Sequence, residues 1–208
     1  WFDWAVTDEN KVDPRNKNNL LYQMQMPVEE CGNIIICVMA VCRALKDFSY
    51  AKEHFNILKK WADYLLEHGF NPVNQLCTDD FAGHLSGNAN LAIKAIVGIN
   101  AFADINEMLN KKYESEKYYL IAKDYADKWI NIYSEDDHTI LALNHNNTFS
   151  LKYNLAIDDF LNRPLFEKSF KEKEVKYYLS KKNKYGIPLD SRKTYSKTDW
   201  MAWCCCLT

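Results

Sequence analysis

GNIIICVMAVCRAL, residues 32–45, is apolar on nearly every side when wound at about 3.6 residues per turn. A helix of that kind is expected to be buried on most of its faces. The stretch after it, about residues 50–68, is amphipathic. Phe55, Leu58, Trp61, Ala62 and Leu65 form one stripe, and Lys59, Lys60, Asp63 and Glu67 lie opposite. Gly69 is a natural stop for that helix, and Pro72 follows. The alternation then repeats. Residues 88–109 are again mostly apolar, and residues 115–133 are amphipathic through Tyr118, Ile121, Ala122, Tyr125, Trp129 and Ile132. A third pair is expected over residues 150–161 and 166–182, and a fourth buried-type helix starts near Thr198 with Trp200, Ala202 and Trp203.

Buried helices therefore begin at intervals of roughly 50 to 60 residues, each followed by an amphipathic partner, which is a helical-hairpin periodicity. An open solenoid or a closed α/α toroid fits this pattern. Inner helices that are apolar on almost all sides favour the closed ring, so the expected fold class is an all-α α/α toroid. The chain opens on Trp1 and stops at Thr208 inside an apolar helix with no Gly, Pro or cap to end it. That reads as an incomplete ring, with residues 1–208 forming part of one toroid domain.

Composition narrows the function classes. A net charge of -2 offers no basic footprint for nucleic acid. The longest apolar run, residues 34–42, is far short of the ~20 residues that span a bilayer. The 13 Tyr, 10 Phe and 6 Trp suit the core of a large helical domain better than a ligand-stacking surface. None of the seven cysteines forms a CxxC pair or a Cys/His zinc spacing, and no metal or cofactor is expected. Cys37 and Cys42, inside the apolar run, read as buried thiols. Asn146-Asn147-Thr148 is a glycosylation sequon.

The loops are of two kinds. Those leading out of a buried helix are short and plain. Those leading into one are long and rich in polar groups: residues 26–33, 74–88, 136–154 and 184–200. In a helical toroid the N-terminal ends of the inner helices share one face, so these loops are expected to converge on one cleft with helix dipoles directed into it. The cleft would gather Glu29, Glu30, Asp79, Asp80, His84, Asn88, Lys152, Asn154, Asp158, Asp190, Arg192 and Asp199. Carboxylates from separate loops suit acid/base hydrolysis, in which one activates water and another protonates the leaving group. Lys152 and Arg192 could clamp a substrate carboxylate.

Each of these residues also has a structural reading. Glu29 and Glu30 suit the first turn of a helix as acids. One of Asp79 and Asp80 could brace its loop, and His84 reads readily as a hydrogen-bonded structural histidine. Asp190-Ser191-Arg192 could be a turn with an internal ion pair, and Asp199 could cap the last helix. Cys31 and Cys77 sit in cleft loops, but no histidine at a recognisable spacing supports a thiol nucleophile.

MPVEECGN (26–33), LCTDDFAGHLSGNANLAIKAIVGI (76–99), SLKYNLAID (150–158) and NKYGIPLDSRKTYSKTDWMAW (183–203) resemble the signature blocks of the glutaminase A family. They come in the family's order and span about residues 22–203. The resemblance implies a toroid of the six-hairpin glycosidase-like type and hydrolysis of L-glutamine to L-glutamate and ammonia, often by a secreted enzyme. An extracellular or secretory location is therefore expected, with a small-molecule substrate and the remaining domains of a longer chain as partners, and no nucleic acid or membrane. The Cys204-Cys205-Cys206 run departs from the small and apolar residues expected there.

The leading expectation is a glutaminase-like hydrolase. Glu30, Asp79, Asp80 and Asp190 supply the catalytic carboxylates, and Glu29, His84, Asn88, Lys152, Asn154, Arg192, Asp199 and Trp200 bind the substrate. Two alternatives remain: a glycoside hydrolase with the same cleft, and a non-catalytic binding domain.

Overall fold

The computed structural model describes residues 25–73, 75–78, 83 and 85–208. Regular structure among them is helical: α1 (Pro27–Leu45), α2 (Ser49–Glu53), α3 (Phe55–His68), α4 (Ala89–Met108), α5 (Lys112–Tyr133), α6 (Leu155–Asp158), α7 (Lys168–Ser180) and α8 (Thr198–Cys204), closed by a 3-10 turn at Cys205–Leu207. Isolated bridges, and no strands, join the described loops. The fold is all-α and of the α/α-toroid type, with α1 and α4 as neighbouring inner helices and α3 and α5 outside them.

Helix α4 is the centre of the core. Its N-terminus is capped by Asn88, whose Oδ1 accepts the Leu91 N–H at 3.0 Å. All of its residues from Ala89 to Asn106 are buried. Each isoleucine in it contributes roughly 1.5–3 kcal/mol through its removal from water. The inner pair α1 and α4 cross at two glycines. A Cβ on Gly98 would stand 3.1 Å from the Gly32 Cα, and one on Gly32 would stand 2.8 Å from the Lys94 Cγ. Outer helix α5 is tied inward by aromatic polar tips. Tyr118 donates to Asp63 Oδ1 at 2.7 Å, Tyr125 to the Leu66 carbonyl at 2.9 Å, and the Trp129 indole to the Ala89 carbonyl at 3.1 Å.

Several sequence expectations change. Helix α1 is buried on one side only, through Val28, Ile35, Val38, Met39 and Cys42, while Cys37, Ala40, Val41 and Leu45 are exposed. Cys37 is therefore not a buried thiol, although Cys42 is. The amphipathic helix expected over residues 50–68 is two helices broken at His54. Gly69 does end α3, but with φ -85° rather than in the left-handed region. Its reason is space: a Cβ there would sit 2.4 Å from the Ala95 Cβ. On α5 the core position belongs to Tyr133, and Ile132 is exposed. Trp203 and Ala202 of α8 are exposed too.

The third inner helix is a single turn, not the twelve-residue element expected. Asp158 ends it. Its carboxylate accepts the N–H groups of Leu165 at 2.8 Å and Phe166 at 3.1 Å, together with the Lys171 ammonium at 2.9 Å. Further on, Pro164 disfavours helical geometry at Arg163.

Candidate functional site

A cavity of about 470 Å³ lies where α1, α4, α6 and α8 meet. It draws on each of the four polar loops: Glu29 and Asn33 from the first, Thr78 from the second, Tyr153 and Asn154 from the third, and Trp200 from the fourth. Bridges hold the loops in this arrangement. Asn88 pairs with Ala142 and Ser150 with Asp190, which links the second loop to the third and the third to the fourth.

The polar end is built on α1 and α4. Glu29 is only 2% exposed. Its Oε1 lies 3.3 Å from the Lys94 Nζ, and its Oε2 accepts the Thr78 N–H at 3.3 Å. Lys94 also donates to Asn33 Oδ1 at 2.6 Å, and Asn33 in turn donates to Glu30 Oε2 at 3.3 Å. The N-terminus of α1 has no capping side chain of its own, and the Val28 N–H goes to Gln75 Oε1 at 3.0 Å. The second loop thus anchors the turn that carries Glu29. A buried carboxylate fixed by an ammonium and a backbone N–H can orient a water or a substrate amide.

The rest of the lining is apolar and aromatic. Ile36, Cys37, Met39 and Ala40 continue the Glu29–Asn33 face along α1, and Ile157, Phe160, Trp200 and Trp203 also line the cavity. Trp200 stacks on Tyr153 with ring centroids 4.1 Å apart and planes 11° from parallel.

Of the residues expected in the cleft, Glu29, Asn154 and Trp200 meet at this cavity. Glu30 does not line it. One residue further along the helix its carboxylate is turned about 100° away, where it meets Asn33. Asp79, Asp80 and His84 lie outside the described residues. Asn88 is the cap of α4, and its amide nitrogen contacts the Cys77 sulfur at 3.6 Å. Lys152 is fully buried, does not line this cavity, and donates to the carbonyls of Ser150 at 3.0 Å and Thr139 at 3.3 Å. Asp158 has the structural task described above.

Asp190 and Arg192 form the turn with an internal ion pair. Asp190 Oδ2 takes the Arg192 Nη2 at 2.7 Å, and its Oδ1 takes the Arg192 backbone N–H at 2.7 Å. The remaining Arg192 Nη1 reaches the Gly83 carbonyl. Asp199 is exposed in the first turn of α8, makes no cap hydrogen bond and does not line the cavity. Cys31 is buried, and that burial, with a smaller push from Glu30, drives its thiol far above the ordinary value.

Sequence reasoning missed Lys94 and Asn33. Lys94 did leave a signal: it is the one cation in the apolar stretch 88–109. A lysine in a helix buried on all sides requires a carboxylate partner. Among the described residues no group of three or more His, Cys, Asp or Glu is arranged to hold a metal ion, and no helix is long and apolar enough to cross a membrane.

Residues 7–208 match the family described as the glutaminase A six helical-hairpin domain. Glutaminase A of Aspergillus oryzae is 41% identical over 180 residues, covering 85% of this chain and 26% of that protein. A protein of Arthroderma benhamiae named as a probable glutaminase is 31% identical over 180 residues, covering 73% of this chain and 21% of its own length. The chain thus spans about a quarter or less of the curated relatives it matches. With that match over nearly its whole length and the helical hairpins described above, the chain belongs to the glutaminase A family.

Proposed function

We propose that the cavity is the hydrolytic site of a glutaminase, releasing ammonia from the side-chain amide of L-glutamine, with Glu29 as general base. The observation that carries this reading is the buried Glu29 carboxylate, fixed at the polar end of the cavity by Lys94 and the Thr78 N–H. Family membership and the names of the two relatives support the choice of substrate.

Glu29 takes a proton from a water as the water oxygen bonds to the amide carbon, and the carbonyl π electrons move onto oxygen. The carbonyl re-forms as the C–N bond breaks, and the departing nitrogen takes the proton back from Glu29. The products are ammonia and a glutamate side chain, and Glu29 is regenerated. Lys94 has a third N–H beyond those used by Glu29 and Asn33, and it is the cation placed to meet the developing oxyanion. Asp79 or Asp80, directly after Thr78, is the proposed second carboxylate.

The test is ammonia release from L-glutamine by the complete gene product and by Glu29→Gln. The substitution should lower kcat about 10²-fold or more with little change in KM. Undiminished turnover in the variant would remove Glu29 from the chemistry and favour a non-catalytic binding role for this cavity. The aromatic lining of Tyr153, Trp200 and Trp203 beside a carboxylate favours a second reading, a glycoside hydrolase. Turnover of an aryl glycoside with no ammonia from glutamine would select it. The sequon at Asn146 lies in an exposed turn and fits the proposed secretory location. A mass shift on deglycosylation of the native protein tests that placement.

A further inference from the structure

Lys94 of α4 lines the cavity, and one turn of α1 holds it there. Its aliphatic stem lies against Gly32, where a Cβ would stand 2.8 Å from the Lys94 Cγ and 3.1 Å from its Cδ. Its ammonium is held by two residues four apart on α1, Glu29 Oε1 at 3.3 Å and Asn33 Oδ1 at 2.6 Å. The three N–H groups of an ammonium diverge at fixed angles, so two anchored donors fix the direction of the third. Held by Glu29 alone, the head would pivot about a single contact.

Asn33 is in turn held by a residue that does not line the cavity. Its Nδ2 donates to Glu30 Oε2 at 3.3 Å. An ammonium only donates and a carboxylate only accepts, so an amide between them has one orientation, with its oxygen towards Lys94 and its nitrogen towards Glu30. The two consecutive acids of α1 therefore bear on the same cation, Glu29 directly and Glu30 through one side chain.

We propose that Glu30 is a positioning residue that orients the Lys94 ammonium through the Asn33 amide. This rests on the proposed glutaminase reading, in which the third Lys94 N–H meets the developing oxyanion. Glu30 acts without reaching the substrate. Because the oxyanion forms only during the reaction, losing this orientation lowers kcat and leaves KM nearly as it was.

The experiment measures ammonia release from L-glutamine by the complete gene product and by its variants Glu30→Ala, Glu30→Gln, Asn33→Ala and the double variant Glu30→Ala, Asn33→Ala. Glu30→Ala should lower kcat about tenfold with little change in KM, a loss of the size that misplacing a group in the site produces. Glu30→Gln keeps an acceptor oxygen for the Asn33 amide and should recover most of that loss. Asn33→Ala should lower kcat at least as far as Glu30→Ala does. Once Asn33 is gone, Glu30→Ala should cost nothing further, because the link between them is already broken.

An acid that merely favours the N-terminus of α1 would lower the urea midpoint of Glu30→Ala and leave its kcat at the wild-type value. That result overturns the inference, and so do losses in the two single variants that multiply in the double. Either outcome, with ammonia still released by the wild type, spares the proposed function. No ammonia from L-glutamine by the wild type overturns both.

Discussion

The Glu29 carboxylate and the Lys94 ammonium lie 3.3 Å apart where α1 meets α4, and both side chains are almost wholly withdrawn from water. Neither charge can be abandoned there without the other being left uncompensated. The pair places the polar end of the cavity on the two most firmly packed inner helices, and rigid elements hold a site more closely than loops do.

Lys94→Met should therefore destabilise the domain by about 3–5 kcal/mol, because it strands Glu29 in a buried setting. The double variant Glu29→Leu, Lys94→Met should regain most of that loss. Urea unfolding of the single and double variants measures both. A single variant that melts with the wild type would show that the pair carries no such weight.

Gly69→Ala tests close packing. The new Cβ would meet the Ala95 Cβ at 2.4 Å and the Leu65 carbonyl oxygen at 2.6 Å. The clash with backbone cannot be relieved by a rotamer change, so a loss of about 1–3 kcal/mol is expected. It should appear as a lower unfolding midpoint. A stabilised variant would mean that α3 and α4 can separate at no cost.

Asp104 makes a pH prediction. Burial, the largest influence, raises its pKa above the ordinary 3.8, against the pull of the Asn162 N–H and of Arg43. Its Oδ2 takes Arg43 at 2.7 Å and the Asn162 N–H at 3.0 Å, while Oδ1 has no partner among the described residues. A carboxyl with a raised folded pKa binds its proton more readily folded than unfolded. Its contribution to stability is full below the unfolded value and declines as pH rises through the folded one. The stability of the wild type relative to Asp104→Asn should accordingly fall as pH rises from about 3.8 and then level off. Urea midpoints across that range check it, and a relative stability that climbs with pH would contradict the sign.

The cysteines should divide by environment. Cys37 is exposed, whereas Cys31, Cys42 and Cys204 are buried, and burial is the chief cause raising the Cys204 thiol to about 12. Iodoacetamide applied to the native protein should label Cys37 and spare those three, as read by peptide mass spectrometry. Prompt labelling of Cys31 would show that the first turn of α1 opens readily.

The Glu29→Gln comparison completes the set. Stability and activity readouts separate the structural task of Lys94 from the chemical task of Glu29.

By itself the sequence determined the helical class, the alternation of inner and outer helices, the position of α4 and the four polar loops. Each of these follows from local periodicity or from the chemistry of a helix start, such as Asn88. Tertiary structure alone decided which of two adjacent acids serves the cavity. Glu29 and Glu30 differ by about 100° around α1, and the rotation of that helix is set by the crossing of Gly32 on Gly98. It also decided that α6 is one turn long, because Asp158 captures backbone groups seven and eight residues away. Lys152, Asp190 and Arg192 do not line the cavity beside Glu29 for the same kind of reason. Their partners, the carbonyls of Thr139 and Ser150, the Asp190–Arg192 pair itself and the Gly83 carbonyl, are matters of distance after folding. Residue type and spacing fix how a segment coils, whereas the partner a charge finds depends on where the other segments come to rest.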